Sequence, residues 1–358
     1  MKGNTDNPGV DAWDRLEGIP DPLENPVLAG HGDVLDHLAA HHASGRMHHA
    51  WLVTGPRGIG KATMAARFAA HVFRNPDPAT APANYLPVGP DDATERRIAS
   101  GAHPNLLHLR RPWDDQRKRW KSRLSVDEIR RLNHFFATTP GQNTWRIVIV
   151  DTTDDLNAPA TNALLKNLEE PPLRTLFLVL AHSAKGLLAT IRSRCQKITM
   201  RPLADEALFQ ALDALGVAAH ITDKDRTLIA SLSGGSVRRA IILINSGGVE
   251  LHRQFARLIE GIARPDWAGI HKLASDLSLA RNEDRYRLLL DIVNTHVSQL
   301  VRSQGGMNGK ESPAPVSTLA RKVEVWEKTR RSAALTDAYN LDRKQVVLNL
   351  FQALHDAA

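Results

Sequence analysis

The run GPRGIGKAT, Gly55 to Thr63, constrains this chain more than any other stretch. A short apolar strand, Trp51 to Thr54, leads into it, and a helical pattern from Lys61 to Phe73 leads out. Gly55, Gly58 and Gly60 let backbone N–H groups curl around an anion, and Lys61 reaches toward the outer phosphates. One position departs from a working phosphate loop. The residue after the lysine, which should offer a hydroxyl to magnesium, is Ala62, and Thr63 sits one helical step on, rotated by roughly 100°.

Further segments extend the same architecture. From His31 to Ala43, the apolar positions Val34, Leu35, Leu38 and Ala39 recur at helical spacing. SVDEIRRL predicts a helix start at Ser125, with Glu128 closing a capping box. Trp145 to Asp151, WRIVIVD, is a β-branched run ending in a carboxylate, the pattern of a buried parallel strand whose C-terminal end faces a ligand crevice. Asp151 would there point at magnesium. The next position, where a hydrolase keeps a glutamate to orient the attacking water, is Thr152. Asp154 and Asp155 follow, either as substitute bases or as charge at a helix N-terminus. A third strand, Leu176 to Ala181, comes after NALLKNLEEPP, Asn162 to Pro172, a helix stopped by its two prolines. Strand and helix alternate, which predicts a parallel sheet. In TIRSRCQ, Thr190 to Gln196, Arg192 and Arg194 bracket Ser193 beside Cys195. An arginine placed so either projects into a neighbour's nucleotide or pairs with a surface carboxylate.

Composition narrows the functional classes. At 358 residues and 42% apolar content, two or three domains are expected. No apolar run reaches membrane-spanning length and the N-terminus lacks the apolar core of a signal peptide, so the expectation is a cytoplasmic chain with no membrane partner. Cys195 is the single cysteine, which excludes an internal disulfide and a multi-cysteine zinc site. His41, His42, His48 and His49 cluster without an HExxH pattern and are read as solvated or capping residues, not as metal ligands. The net charge of +7 is densest where Arg110, Arg111, Arg117, Lys118, Arg119, Lys121 and Arg123 flank Trp113 and Trp120. That stretch is either a phosphate grip with stacking indoles or a solvated loop anchored by two tryptophans. Residues 1–25 read as a loosely ordered leader, and the proline-rich segment from Asn75 opens an insertion running to Arg123. Beyond Met200 helical spacing dominates: a small helical lid is expected over 202–261 and long helices over 262–358, as in Leu288, Leu289, Leu290, Ile292 and Val293, then Val346, Val347, Leu348, Leu350 and Phe351. Gly305 to Pro315 reads as a flexible connection.

Taken in order, GRMHHAWLVTGPRGIGKAT, VIVD, NALLKNLEEPP, SRCQ and GGSVRRA resemble the bacterial clamp-loader branch of the AAA+ family, over about Leu28 to Ala240. YNLDRKQVVLNLFQAL extends the likeness toward the C-terminus. The resemblance implies an AAA+ P-loop domain (RecA-like parallel sheet) over 26–201, a helical lid and an all-α collar that holds subunits together. It also implies that Ser193, Arg194 and Cys195 form an SRC motif whose Arg194 is an arginine finger acting in trans, that Ala181 and His182 occupy the sensor 1 region, and that Arg238 is the sensor 2 arginine. The losses at Ala62 and Thr152 fit a stator that hydrolyses nothing. Its implied partners are gamma/tau motor subunits and a delta subunit, with the sliding clamp and primed DNA reached through the complex. Many relatives carry a four-cysteine zinc module; the insertion here cannot form one, and packing of Trp113 and Trp120 is the expected substitute. No cofactor is required, while the surviving donors leave open ATP or ADP held without hydrolysis. Two other readings stand beside this one: an autonomous AAA+ ATPase, motor-type or branch-migration-like, and a DNA-binding protein using the basic 110–123 segment.

Overall fold

The computed structural model describes residues 15–89, 91–114, 119–138, 144–304 and 342–356. Backbone contacts divide the chain into two compact units, the first Met1–Ala219 with Gly235–Arg238, the second His220–Gly234 with Arg239–Ala358. The stretch 202–261 is thus shared between the two units.

In the first unit, helix α1 (Gly32–Ala43) precedes strand β1 (Ala50–Thr54) and helix α2 (Lys61–Arg74). There follow α3 (Ala93–Ala99), β2 (Leu106–Leu109), a short hairpin β3 (Trp113–Asp114) and β4 (Arg119–Trp120), α4 (Val126–Ala137) and β5 (Arg146–Val150). Helix α5 (Ala158–Glu169), β6 (Thr175–Ala181), α6 (Ala189–Arg194), β7 (Gln196–Thr199) and α7 (Asp205–Ala214) complete it. Five strands form one sheet in the order β2-β5-β6-β1-β7, and every pairing in it is parallel.

The period-2 alternation of the strands sorts their side chains onto two faces. Trp51, Val53, Ile147, Ile149, Leu176, Leu178 and Leu180 point to one core with Val34, Leu35 and Leu38 of α1 and Met64, Phe68 and Val72 of α2. Leu52, Val148, Val150, Phe177, Val179 and Ala181 point to the other, with Ile129 and Leu132 of α4 and Leu164 and Leu168 of α5. Because helices cover both faces, β1, β5 and β6 are buried along their whole lengths. This is the α/β layer structure expected from the alternating elements.

Several local expectations are corrected. Helix α5 starts earlier than the apolar pattern suggested, where Asn157 accepts from the Ala160 N–H at 2.9 Å and Pro159 pre-sets the first turn. Ser125 does precede α4, but no capping box forms. Its hydroxyl is buried without a partner, and Glu128 pairs instead with Arg131 at 2.7 Å. The insertion is not external to the core: it supplies β2, whose Leu109 is fully buried, and α3, whose Glu95 forms a buried ion pair with Arg67 of α2. That pair, the Asp36 carboxylate on the Tyr85 N–H at 2.9 Å and the Trp145 indole N–H on the Pro76 carbonyl at 3.0 Å hold the insertion down. Trp113 and Trp120 oppose each other in the β3–β4 hairpin, and Trp113 is only half-buried. The described end of the leader is also docked, since Leu23 lies in the first core and Asp21 pairs with Arg110 at 2.6 Å. Trp13 and residues 305–315 lie outside the described residues.

The second unit is helical: α8 (Asp223–Ser233), most of α9 (Val237–Asn245), α10 (Gly248–Glu260), α11 (Trp267–Leu277), α12 (Glu283–Gln304) and α13 (Arg343–Asp356). Phe255, Leu273, Leu277, Leu289, Val293, Val347, Leu350 and Phe351 meet in one apolar core. The helical spacing read over 288–293 and 346–351 faces this core, with Leu290 and Leu348 only partly covered. Among the described residues no helix is long and apolar enough to cross a membrane.

Candidate functional site

The C-terminal ends of β1, β5 and β6 lie side by side, with Thr54 opposite Ala181 and Val150 opposite Val179. The connection out of β1 runs toward β2 at one edge, and that out of its neighbour β6 runs the other way, to β7 at the opposite edge, which is where parallel sheets open a ligand crevice. The glycine-rich loop leaves β1 at this place, Asp151 and Thr152 follow β5, and His182 follows β6. The structure therefore brings the separate sequence motifs of the phosphate loop, Asp151 and His182 to one edge of the sheet.

At the tip of the loop, Gly58 has φ +76°, and a Cβ there would come within 2.4 Å of the Arg238 Cβ and 2.7 Å of the Ser236 hydroxyl. Only glycine fits. The Arg238 N–H donates to the Gly58 carbonyl at 3.1 Å, and the Ser236 hydroxyl donates to that of Arg57 at 2.9 Å. Ser236 and Arg238, in the part of GGSVRRA that belongs to the first unit, thus lie directly on the loop.

Lys61 is 6% exposed. Its ammonium donates to the Gly55 and Pro56 carbonyls, each at 2.7 Å, and lies 3.5 Å from His182 Nδ1. Burial pulls its pKa from 10.5 down to about 8, against the attraction of Asp151 and Asp154 and with a further push from Arg57. His182 is likewise held below the ordinary histidine range, first by burial and then by the Lys61 charge, so its neutral ring can accept from the ammonium. Because the unfolded chain keeps the lysine proton up to about pH 10.5 while the folded chain releases it from about 8, folding stability rises with pH across that window. Urea titrations of wild type and Lys61→Met should show wild type gaining about 3 kcal/mol relative to the variant between these pH values. A gain under about 1 kcal/mol would contradict the buried ammonium.

The residues at the magnesium position do not fit the metal. Ala62 has no side-chain oxygen and packs against the first core, and Thr63 is buried at 6% exposure. The Asp151 carboxylate lies 3.6 Å from His108 Nε2. Thr152 is buried, and its hydroxyl has no hydrogen-bond partner. The two carboxylates that follow are engaged elsewhere: Asp154 accepts the His182 N–H at 2.7 Å, and Asp155 takes a two-point contact from Arg111. His108 was not singled out from the sequence. It reaches the site only because β2 pairs with β5 in the register that sets it beside Ile149.

Arg194 ends α6, away from these groups in sequence. Its guanidinium pairs with Glu169 at 2.7 Å and donates to the Thr190 carbonyl at 3.0 Å and the Ser193 hydroxyl at 3.3 Å. One-third of its side chain is exposed. Cys195 beside it is buried, and burial pushes its thiol up to about 12. Its thiolate fraction at neutral pH is therefore negligible. Iodoacetamide at pH 8 is expected to leave Cys195 unmodified in the folded chain and to alkylate it in urea; equal labelling in both would contradict the burial.

Of the clustered histidines, His42 Nε2 lies 2.7 Å from the Asn75 carbonyl and His49 Nε2 3.0 Å from that of Leu168, while His41 packs edge-on against Trp51. Among the described residues no three His, Cys, Asp or Glu side chains are grouped to hold a metal. In the basic stretch, Arg110 and Arg111 are neutralised by Asp21 and Asp155. Lys121 and Arg123 are exposed. Residues 115–118, with Arg117 and Lys118, lie outside the described residues.

A parallel sheet in this order, with a phosphate loop after β1 and a helical unit following, defines a P-loop protein of the AAA+ type. A family model described as DNA polymerase III, delta subunit, matches residues 30–204. The delta' subunit of DNA polymerase III from Pseudomonas aeruginosa is 31% identical over 226 residues, 60% of this chain and 61% of that protein. The tau subunit from Bacillus subtilis is 29% identical over 344 residues, 87% of this chain and 58% of that protein. The chain is thus similar to subunits of the DNA polymerase III clamp loader, and it spans about three-fifths of the length of these two relatives. A gamma-subunit-related protein of known structure from Thermotoga maritima superposes with a TM-score of 0.49 at 15% identity, covering 90% of this chain and 99% of that one.

Proposed function

We propose that this chain is a delta-prime-type stator: a cytoplasmic clamp-loader subunit that does not cleave ATP and instead supplies Arg194 to the ATP site of a neighbouring motor subunit. The observation that carries the reading is the state of the crevice. Ala62 and Thr152 remove the metal hydroxyl and the general base at two separate places, and the two carboxylates that follow, Asp154 and Asp155, accept hydrogen bonds from His182 and Arg111. A site built this way keeps anion-binding geometry and lacks a means of activating water.

In trans, the Arg194 guanidinium would neutralise charge that develops on the γ-phosphoryl group as it leaves. Gamma/tau motors and a delta subunit are the partners, and the ring they form would open a sliding clamp and place it on primed DNA. ATP or ADP bound in the degenerate loop would serve only as a structural ligand. Purified alone with magnesium and primed DNA, the chain should show no ATP turnover above background.

The likeness to a tau subunit across 87% of the chain favours a second reading, an autonomous motor. Robust turnover by the isolated chain that is lost in Lys61→Met would establish that reading and overturn the stator. The ion pairs made by Arg110 and Arg111 speak against a DNA-binding role centred on the basic stretch.

A further inference from the structure

We propose that Glu169 is a latch for Arg194, holding the guanidinium against its own subunit until a neighbour's phosphate takes it. This rests on the trans-arginine reading above. Arg194 is the last residue of α6 and Glu169 the last of α5, and their charged ends meet at 2.7 Å. The other guanidinium contacts are the Thr190 carbonyl, one turn back on its own helix, and the Ser193 hydroxyl.

The position of the carboxylate is informative. Carbonyl oxygens at a helix C-terminus carry partial negative charge, so an anion there is unfavourable for the helix. Glu169 and its neighbour Glu170, the C-cap, both stand at the C-terminus of α5. Glu169 does not help α5 end; its carboxylate is met by Arg194, in a last turn that also carries Lys166. A guanidinium at that place is attracted by Glu169 and by the Thr190 carbonyl of its own helix.

The latch is also weak. The side chains are 34% and 48% exposed, and pairs this exposed shift an equilibrium by about two- to fivefold, whereas a finger on a transferring phosphoryl group is worth on the order of 10³-fold or more. A correctly seated neighbour wins the arginine easily, while a poorly seated one does not. Glu169 would therefore suppress wasteful turnover in the loader before DNA is engaged. It is a positioning residue, acting through Arg194.

The test is a double-mutant cycle on the reconstituted loader without DNA, with ATP as the substrate. Glu169→Gln should raise basal kcat about two- to fivefold and leave KM for ATP unchanged. In an Arg194→Ala background the same substitution should do nothing. Unchanged or lowered basal kcat in Glu169→Gln, with Arg194→Ala still impaired, would overturn the latch and spare the stator. If Arg194→Ala itself leaves turnover intact, the stator falls and the latch with it. An effect of Glu169→Gln that persists without Arg194 would also overturn the latch, because it would then act by some other contact.

Discussion

Replacing Arg194 by alanine is expected to lower ATP turnover at the recipient motor site of a reconstituted loader by about 10³-fold while the complex still assembles. That factor is about 4 kcal/mol of transition-state stabilisation, the worth of a permanently charged, planar group meeting charge as it develops on the phosphoryl oxygens. Removing the side chain costs the free chain little, because its pairing with Glu169 is at the surface. Lysine at the same position should rescue poorly, since a point charge cannot reproduce the fork of donors. Steady-state turnover with primed DNA and clamp, alongside gel filtration, separates a catalytic defect from failed assembly.

Removing one partner of the Arg67–Glu95 pair should have the largest effect on stability. Both side chains are about 6–7% exposed, and Arg67 also donates to the Asn25 carbonyl. Breaking a buried pair strands a charge, at a cost of about 3–5 kcal/mol, so Glu95→Ala should lower the melting temperature of the first unit by roughly 10 °C. Burial holds the Glu95 carboxyl above its ordinary pKa although Arg67 pulls the other way. The folded chain thus keeps this proton to higher pH than the unfolded one, and stability falls as pH rises from the ordinary value of 4.5 through the raised one. Replacing both partners together, as Arg67→Met with Glu95→Leu, should recover most of the loss. A melting temperature within about 2 °C of wild type in Glu95→Ala would show that the pair does not anchor the insertion.

Much of the sheet was legible because its central strands are covered on both faces. WRIVIVD and the segment ending at Ala181 carry unbroken apolar runs, and the glycine loop marks the end of β1 without ambiguity. The edge strands were not legible. Three of the four residues of β7 are exposed, so its sequence, QKIT, shows no buried pattern, and β2 lies within the segment read as an insertion. Contacts between distant residues were hidden for the same reason that His108 was: Arg67 and Glu95 become neighbours only when α3 packs on α2. The predicted capping box failed on a local competition, in which Glu128 meets Arg131 one turn on in place of the Ser125 N–H. At the candidate site, sequence located the missing hydroxyl and glutamate, and geometry added that Asp154 and Asp155 are both occupied.

The most direct measurement compares two substitutions in the same reconstituted loader, Lys61→Met and Arg194→Ala, by DNA-stimulated ATP turnover. If the pocket is inert and the arginine works in a neighbour's site, Lys61→Met leaves turnover at the wild-type level and Arg194→Ala removes about 10³-fold at the recipient site. The opposite pattern, with turnover lost in Lys61→Met and kept in Arg194→Ala, would mean that this chain burns its own ATP and lends nothing.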